Sequence, residues 1–325
     1  MHRVLGGTRL RVSVISFGVY SLSGMYGHVD HDRALSLLRY AYELGVNFYD
    51  TGDVYGRGVA ESIVKEALYE YYDDIVIATK VGYDFYTSNP PRRRYDEGYL
   101  VKAVRMSVER LCKKPIDLLQ IHNPPLRELK RDSIYRVARL LKKDGLISHF
   151  GIALGPEVDV YDEAMEAISH DEVEVIQLVF NMLEQEPGYT IIREARKHGV
   201  GVITRVPHAG GVLDESITEE EVKELSDHRS LRRKGWFTWA FNTYRQMKGI
   251  LDKYKGTPGQ KALRFIYQAV NPDSIVVIAK DQERLREYVD FLNADAIGPA
   301  DIETLRRIYY ENIMYSPEAP STIRT

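Results

Sequence analysis

Short apolar runs alternate with amphipathic stretches along most of the chain. The runs have the length of buried strands, and the apolar spacing within the stretches is that of helices packed on one face. The pattern predicts eight strands, strands 1 to 8, at residues 12–18, 46–51, 74–80, 117–123, 147–154, 173–180, 199–207 and 274–280. It predicts helices at residues 31–44, 60–71, 97–111, 132–143, 157–169, 189–198, 259–270, 282–292 and 299–313.

Several predicted helices begin or end with residues that are typical of those positions. Basic residues followed by glycine, in KKDG (142–145) and RKHG (196–199), are typical of the carboxyl end of a helix. Thr257–Pro258 is typical of a helix start, because proline suits the first helical turn. These signals support the alternation of strands and helices.

Eight strand–helix units in succession, without a break in composition or a linker, indicate the α/β class and a single (β/α)8 TIM barrel over residues 1–325. The strands are apolar throughout, as parallel strands covered by helices should be. The alternative is a doubly wound open sheet, which normally has a glycine-rich fingerprint after its first strand. The segment SFGVYSLSG after strand 1 is not such a fingerprint, so the barrel is favoured.

Three segments are longer than ordinary loops. Residues 82–98 follow strand 3, residues 208–257 form a long loop after strand 7, and the tail from residue 294 contains an extra C-terminal helix. The first two segments are expected to be irregular. If all three follow the carboxyl ends of strands, they lie on the face of the barrel where active sites form.

Composition and charge restrict the class of protein. The chain has 325 residues, 44% of them apolar, and a net charge of −3, so no strong positive field attracts nucleic acid or a membrane surface. No apolar run approaches the roughly 20 residues of a membrane span. The single cysteine, Cys112, fits a reducing compartment and is expected to be buried in a helix. We therefore expect a cytoplasmic protein that binds neither nucleic acid nor a membrane, and the oligomeric state is left open.

Polar residues stand at the carboxyl ends of three successive predicted strands. Strand 2 ends with Asp50, strand 3 with Lys80 and strand 4 with His122, and Tyr55 follows strand 2 after one short turn. Neighbouring strands of a sheet lie about 4.8 Å apart. We therefore expect these four side chains to share one cavity at one end of the barrel.

The four residue types together can act as a general acid. A tyrosine titrates near pH 10, but a lysine ammonium about 4 Å away would stabilise its phenolate and lower its pKa. Asp50 would keep Lys80 charged, and His122 would donate a hydrogen bond to a substrate oxygen. A carbonyl oxygen that gains negative charge during hydride transfer is such an oxygen. Since no side chain supplies hydride, a nicotinamide cofactor is required.

Each of these residues also has a purely structural interpretation. Asp50 and Lys80 could form a plain salt bridge, Tyr55 could be a packing residue, and His122 could be a structural hydrogen-bonding residue. A barrel isomerase or lyase with Lys80 as a Schiff base is a further alternative, although the neighbouring carboxylate and phenol would keep the amine protonated. The occurrence of all four residues at one end of successive strands favours catalysis.

The same residues lie in segments that resemble a known family. LGVNFYDTGDVYGRGVAES, VIATK and DLLQIHN are similar to three signature segments of the aldo/keto reductases. LGGTRLRVS, GLISHFGIA, IQLVFNML, PHAGGVL and PGQKALRFIYQAV extend the resemblance over nearly the whole chain. The resemblance implies an NADP-linked carbonyl reductase on a TIM barrel. It also implies that Tyr55 is the acid, Lys80 tunes it, Asp50 anchors Lys80, and His122 orients the carbonyl.

The resemblance further implies a site for NADP(H), with NAD(H) as the alternative cofactor. Gln177 matches a glutamine that hydrogen-bonds the nicotinamide carboxamide, and Arg205 stands where many members have an aromatic residue that stacks under the ring. Ala153 and Leu154 replace the polar pair that is common at strand 5 of the family. The expected cofactor residues are Gly18, Val19, Asp50, Gln177, Arg205, Val206, Pro207, Ala209, Leu213, Lys280, Arg284 and Tyr288.

The end of strand 8 resembles the family least. Lys280 and Arg284 could bind a 2′-phosphate, and Tyr288, which replaces an expected asparagine, could contact adenine. Three acidic residues within 281–287 would oppose a phosphate. NADP is therefore favoured over NAD by the resemblance and not by the local residues.

The expected substrate site consists of Tyr20, Tyr83 and His122, and Trp236 or Trp239 from the long loop could also line it. Aromatic walls favour apolar or aromatic carbonyl compounds as the small-molecule substrate. The resemblance leaves a second function open, because some proteins of this fold are nicotinamide-binding regulatory subunits of ion channels. No metal site is expected.

Overall fold

Eight parallel strands form a closed barrel in the computed structural model, which describes residues 1–315 except residues 26, 28, 156–159 and 234. Each strand pairs with the next strand along the chain, and the last pairs with the first. The strands are β1 Ile15–Gly18, β2 Phe48–Asp50, β3 Val76–Val81, β4 Ile116–His122, β5 Ile147–Ala153, β6 Val175–Val179, β7 Gly201–Arg205 and β8 Ser274–Val277. The predicted (β/α)8 barrel is confirmed.

Helices follow the strands and surround the barrel. They are α1 His31–Glu43, α2 Val59–Leu68, α3 Glu97–Leu111, α4 Leu126–Leu129, α5 Asp132–Lys143, α6 Tyr161–Ile168, α7 Gly188–Lys197, α8 Glu219–Val222, α9 Trp236–Leu251, α10 Pro258–Ala269, α11 Gln282–Val289 and α12 Pro299–Tyr315. The helix predicted over 157–169 is observed as α6, and residues 157–159 lie outside the described residues. The extra C-terminal helix is confirmed as α12.

The alternation of side chains along the strands separates two cores. Tyr49 of β2 points to the helices, because its hydroxyl donates to the carbonyl oxygens of Val46 and of Leu38 in α1. Its neighbours Phe48 and Asp50 therefore point into the barrel. Phe48 belongs to a small apolar cluster inside the barrel, which also contains Leu5, Val12, Val76, Ala78, Leu118, Val175, Ile203 and Val276. A larger cluster fills the space between strands and helices.

An N-terminal hairpin lies at the end of the barrel where the strands begin. Its strands are His2–Val4 and Arg11–Ser13, and its turn contacts the start of β7. A Cβ atom on Gly6, which has a φ of +53°, would lie 2.2 Å from the backbone nitrogen of Gly201. The prediction that strand 1 begins at residue 12 is therefore wrong. Residues 11–13 form the second strand of this hairpin and pair with residues 2–4, not with a barrel strand.

Two segments that were expected to be irregular contain regular structure. In 82–98, Tyr83–Asp84 pairs with Arg92–Arg93 as a short antiparallel hairpin. The segment 208–257 contains α8 and the long helix α9. The apolar positions of α9 recur every three or four residues, which is a helical pattern that the sequence already contains.

The helix ends agree with their sequence signals, with one exception. Thr257 and Gln260 form a capping box at the start of α10, with proline at its first position. Gly145 and Gly199 follow helices with φ values of 64° and 71°. Cys112 caps the end of α3 with a φ of 51° and is exposed, so the expectation that it is buried is wrong.

The described residues contain neither a helix suited to a membrane nor a cluster of metal-ligand side chains. In the part of the chain that the structure describes, no helix is both long and apolar enough to span a membrane. Within the same residues, no group of three or more His, Cys, Asp or Glu side chains could bind a metal ion.

Candidate active site

A ring of polar side chains closes the inner core at the carboxyl ends of the strands. Because side chains alternate, each apolar residue of the inner core is followed two positions later by another inward residue. Ala78 is followed by Lys80, and Leu118 is followed by Gln120 and then His122. Strand pairing places Asp50 opposite Ala78 and Lys80 opposite Gln120. Gln177 on β6 and Arg205 on β7 are further inward residues of this ring.

Asp50 and Lys80 form a buried ion pair. The Lys80 Nζ atom donates to both carboxylate oxygens of Asp50 at 2.6 Å and to the carbonyl oxygen of Thr51 at 2.9 Å. The Lys80 side chain is 1% exposed. Burial lowers the pKa of Lys80 from 10.5, and the Asp50 carboxylate opposes this shift. The amine is therefore held in one position by the carboxylate, as expected from the sequence.

Two glutamines also bind the Asp50 carboxylate. Gln177 Nε2 donates to Asp50 Oδ1 at 2.8 Å, and Gln120 Nε2 lies 3.4 Å from the same oxygen. Both side chains are fully buried. Sequence reasoning missed Gln120, although its position two residues before His122 on one strand already placed it on the inner face.

Tyr55 lies beside this ion pair in the loop between β2 and α2. The loop folds back onto β3, because the Asp53 backbone nitrogen donates to the Lys80 carbonyl oxygen at 3.0 Å. The Tyr55 ring centroid lies 5.4 Å from Lys80 Nζ and 5.7 Å from the His122 ring centroid. The edge-on Tyr20 ring packs against it at 4.8 Å. Asp50, Tyr55, Lys80 and His122 thus meet in one sector of the barrel end.

The pKa of Tyr55 differs from the expectation. Burial raises this pKa well above its ordinary value of 10.0, and the Asp50 carboxylate raises it further, while Arg205 lowers it. Both Asp50 oxygens accept from the Lys80 ammonium and offset its field, so in the free protein Lys80 does not bring the Tyr55 pKa below its ordinary value. Tyr55 therefore keeps its proton throughout the neutral pH range.

His122 is a neutral imidazole at neutral pH. Burial lowers its pKa well below 6.5, and the charges of Lys80, Arg205 and Arg93 lower it further. Its Nδ1 atom is buried and has no hydrogen-bond partner among the residues that the structure describes. A neutral imidazole has one N–H donor and one acceptor nitrogen. His122 can therefore donate one hydrogen bond to a substrate oxygen.

The polar atoms that lack a partner extend from His122 towards β6 and β7. Within the described part of the chain, Gln177 Oε1 and Arg205 Nε are buried without a hydrogen bond, whereas Arg205 Nη2 donates to the Leu154 carbonyl oxygen at 2.7 Å. Buried polar groups normally have a partner in the protein, water or a ligand. An amide and a planar ring, such as those of nicotinamide, fit these residues as hydrogen-bonding and stacking partners.

The other expected cofactor residues near β1 and β7 are mainly backbone and apolar surfaces. Val206 and Ala209 have positive φ values of 59° and 50°. Pro207, Ala209 and Leu213 are buried. Gly18 and Val19 lie at the end of β1, where a Cβ atom on Gly18 would lie 2.9 Å from Val276.

The residues expected at the adenosine end are already engaged within the protein. Arg284 Nη1 donates to Glu287 Oε2 at 2.9 Å. Tyr288 is 2% exposed, its hydroxyl donates to Asp214, and its ring stacks on His208 with centroids 4.2 Å apart. Lys280 is exposed in the loop after β8. A phosphate at this position would therefore compete with Glu287 for Arg284.

The expected substrate residues fall into two groups. Tyr20 and Tyr83 are half-buried, the Tyr20 ring contacts Tyr55, and the Tyr83 ring lies edge-on to His122 with centroids 5.0 Å apart. Trp236 and Trp239 are 2% and 3% exposed in α9, and the Trp239 indole nitrogen donates to the Asn312 carbonyl oxygen. The expectation that these tryptophans belong to a loop that lines the substrate site is wrong, because they pack in the core under that helix.

Comparison with known proteins identifies the family. The model of the aldo/keto reductase family matches residues 14–310. The chain is 28% identical over 320 residues to YqkF, an uncharacterized oxidoreductase of Bacillus subtilis (strain 168), with 94% of this chain and 95% of that protein covered. It is 24% identical over 339 residues to a probable voltage-gated potassium channel subunit beta of Arabidopsis thaliana, with 99% of both proteins covered.

A solved structure agrees in fold. The holo form of an aldo-keto reductase from Bacillus halodurans superposes with a TM-score of 0.78 at 23% sequence identity, covering 94% of this chain and 95% of that one. The chain belongs to the aldo/keto reductase family. It is an oxidoreductase, and the fold of its family binds nicotinamide cofactors. The resemblance inferred from the signature segments is confirmed.

Proposed function

We propose that the protein is an NADPH-dependent reductase that converts an aldehyde or ketone to the alcohol, with Tyr55 as the proton donor. One observation carries the proposal: a protonated phenol, a buried Lys80–Asp50 pair and a neutral imidazole lie together at the carboxyl ends of β2, β3 and β4. We also propose that residues 1–325 form one barrel domain. Membership of an oxidoreductase family supports both proposals.

The chemistry follows from the charges of these side chains. A bound nicotinamide cofactor supplies hydride to the carbonyl carbon. The His122 N–H and the Tyr55 hydroxyl donate hydrogen bonds to the carbonyl oxygen, which gains negative charge as hydride arrives. Tyr55 then gives its proton to this oxygen, because an alkoxide is a stronger base than a phenolate. Lys80 and Arg205 lie near enough to stabilise the phenolate that remains.

The proposed cofactor site extends from the catalytic residues along the ends of β6, β7 and β8. Gln177 Oε1 would accept from the carboxamide, and the Arg205 guanidinium would stack on the ring. Val206, Pro207, Ala209 and Leu213, together with Gly18 and Val19, would line the path of the dinucleotide. Lys280 and Arg284 would bind the 2′-phosphate of NADP(H), and NAD(H) is the alternative.

A regulatory nicotinamide-binding subunit is the second candidate function. The observation that favours it is the similarity over 99% of the chain to a protein named a probable potassium channel subunit beta. Such a protein would bind NADPH with little turnover. The Schiff-base lyase is not supported. Lys80 Nζ donates to three oxygen acceptors, which favour the protonated amine and leave no lone pair for attack on a carbonyl.

The decisive experiment follows the loss of NADPH or NADH absorbance in the presence of nitrobenzaldehyde and a panel of other carbonyl compounds. Prompt oxidation of the cofactor that depends on the carbonyl compound, with appearance of the alcohol, is the expected result. Tight NADPH binding without turnover would favour the regulatory function. Borohydride trapping of an adduct on Lys80 would favour the lyase.

A further inference from the structure

The turn that carries Tyr55 contains a buried carboxyl group that the proposed chemistry does not use. We call residues 51–58 the Tyr55 turn. Asp53 lies two residues before Tyr55 and is fully buried. Its backbone nitrogen donates to the Lys80 carbonyl oxygen at 3.0 Å, and the Tyr55 backbone nitrogen donates to the Gly52 carbonyl oxygen at 3.1 Å. Asp53 thus attaches the proposed acid to the strand end that holds Lys80.

The Asp53 side chain lacks the donors that a buried negative charge needs. Neither of its carboxyl oxygens has a hydrogen-bond partner among the residues that the structure describes. A buried carboxylate without donors or a counterion is strongly disfavoured and takes up a proton instead. Asp50, at the end of β2, is the contrasting case, because its carboxylate accepts from Lys80 and Gln177. The two carboxyl groups therefore differ in the charge that their surroundings support.

A second buried carboxylate takes the cation of this region. Glu61 of α2 is fully buried and accepts from the Thr79 hydroxyl at 2.5 Å and from Arg110 Nε at 2.6 Å. Arg110 Nη1 donates to the Tyr86 hydroxyl oxygen at 2.9 Å. One guanidinium can neutralise one carboxylate, and the hydrogen bonds show that it is paired with Glu61 and not with Asp53.

The other ionisable groups around Asp53 do not supply a second cation. The groups that face it come from α2, from α3 and from the segment after β3, and they are Glu61, Arg110, Tyr99, Asp84 and Tyr86. Burial raises the pKa of the Asp53 carboxyl well above 3.8, its two acidic neighbours also raise it, and Arg110 lowers it. Burial raises the pKa of both phenols, so they are neutral as well.

The residues that surround Asp53 also pack against the far end of the Tyr55 turn. Gly58 ends this turn with a φ of +96°, and a Cβ atom there would lie 2.7 Å from Arg110 Cδ. The Glu61–Arg110 ion pair is thus in contact with the turn that contains Asp53. A charged Asp53 would need water or a cation in this packed space, and such an insertion would displace the turn.

We propose that Asp53 is a positioning residue that holds Tyr55 in place as an uncharged carboxylic acid. It acts through the backbone of the Tyr55 turn and not on the substrate. A neutral group fills the space under the turn without a counterion, so the phenol stays beside Lys80 and His122. The effect on activity rests on the proposed reductase function, whereas the charge of Asp53 is tested without any measurement of activity.

The pH dependence of stability tests the charge of Asp53. An aspartate in the unfolded chain loses its proton near pH 3.8, whereas the folded protein retains the Asp53 proton. Folding then takes up one proton above this pH, so the wild type loses stability as the pH rises. The measured quantity is the unfolding equilibrium constant of the wild type divided by that of Asp53→Asn, from urea denaturation. We expect this ratio to rise about tenfold or more between pH 5 and pH 7.

A second neutral variant and a control accompany this measurement. Asp53→Ser removes the same ionisable group, so its ratio should rise with pH by the same factor, whatever its absolute stability. The matched control is Asp73→Asn, because Asp73 is exposed in the turn before β3. Its ratio should change by less than about twofold over the same pH range.

Steady-state kinetics at pH 7 test the positioning. Asp53→Ala empties the space under the Tyr55 turn and allows the phenol to shift. We expect kcat for an uncharged aldehyde to fall about tenfold or more, while the affinity for NADPH changes little. Asp53→Asn has nearly the original size and is also neutral, so it should restore most of the kcat. A purely structural role would lower the stability of Asp53→Ala and leave the kcat of its folded fraction unchanged.

Two results would overturn the inference. One is a stability ratio that stays constant from pH 5 to pH 7 for Asp53→Asn and Asp53→Ser, because Asp53 would then be ionised in the folded protein. The other is a kcat of Asp53→Ala equal to that of the wild type. In both cases aldehyde reduction by the wild type would still support the reductase. A wild type that reduces no carbonyl compound would refute the proposed function itself, and the stability ratio would still report the charge of Asp53.

Discussion

At the scale of single residues, Asp50 determines the charge balance of the site. Its carboxylate accepts from Lys80, Gln177 and, at longer range, Gln120, and it raises the pKa of Tyr55. A lysine ammonium with a side-chain exposure of 1% needs such a counterion, because an unpaired charge in the interior is strongly destabilising. The same carboxylate thus serves both stability and chemistry.

We predict that Asp50→Asn loses about 3–5 kcal/mol of the free energy of unfolding, since it leaves Lys80 buried without an opposite charge. Urea denaturation measures this loss. The double variant Asp50→Asn/Lys80→Met removes both charges and should recover much of the stability, although not the activity. Equal stability of the wild type and Asp50→Asn would show that the ion pair does not act as described.

The pH dependence of activity follows from His122. Because burial and neighbouring cations lower its pKa, the folded protein protonates this imidazole only well below pH 6.5. We therefore predict that kcat/KM for reduction of an uncharged aldehyde stays constant as the pH falls from 8 to 6.5. An acid limb centred near pH 6.5 that disappears in His122→Gln would contradict the assigned neutral state.

At the scale of structural elements, a buried carboxylate anchors the long segment after β7. Glu184 follows β6 and is 1% exposed. It accepts from Asn181 Nδ2 at 2.8 Å and from both terminal nitrogens of Arg232, whose guanidinium stacks on Trp236 at 3.8 Å. Asn181 Nδ2 also donates to the Val206 carbonyl oxygen at 2.9 Å. This network connects Val206, just before the start of the segment, and the middle of the segment, at Arg232, to the loop that follows β6.

We predict that Arg232→Gln makes residues 208–235 open more often, because Glu184 then keeps a buried charge without its cation. Proteolysis by thermolysin, which does not cleave at arginine, should become about tenfold faster in this segment. The matched control is Arg245→Gln, whose exposed pair with Glu219 contributes little. Equal cleavage rates in both variants would show that the Glu184 network does not attach the segment.

The sequence predicted strands and helices better than the regions between them. Strand alternation already identified the ends of β2, β3 and β4 as polar, and the same period would have located Gln120. The helix α9 was missed because its position inside a long segment after β7 suggested a loop, although its apolar spacing is helical. The buried tryptophans illustrate the cause: aromatic residues suit a core as well as a binding site.

The electrostatic differences from expectation have a different origin. That Lys80 lies near Tyr55 follows from strand order, but its effect on the Tyr55 pKa depends on where Asp50 places its two oxygens. The sequence names the charged groups but does not give the distances between them, and burial was the largest cause of the Tyr55 shift. Such distances and burial are properties of the folded chain.

At the scale of the whole molecule, barrel closure brings the candidate residues together. Asp50 and Gln177 are 127 residues apart in sequence yet form a hydrogen bond. Their contact requires β2 and β6 to face each other across a closed barrel, so the site cannot exist in a partly formed sheet. Membership of the aldo/keto reductase family and closure of the barrel are therefore both consistent with polar residues gathered at the carboxyl ends of the strands.

The most direct test of the central claim is the rate of aldehyde reduction by the Tyr55→Phe variant. The affinity of this variant for NADPH is measured in parallel by fluorescence, so that loss of cofactor binding is distinguished from loss of catalysis. The exposed Tyr69 provides the control Tyr69→Phe, which should behave as the wild type. If Tyr55 donates the proton, kcat falls by about 10²–10⁴-fold while cofactor affinity changes little. A Tyr55→Phe protein with a kcat within about tenfold of the wild type would contradict the account.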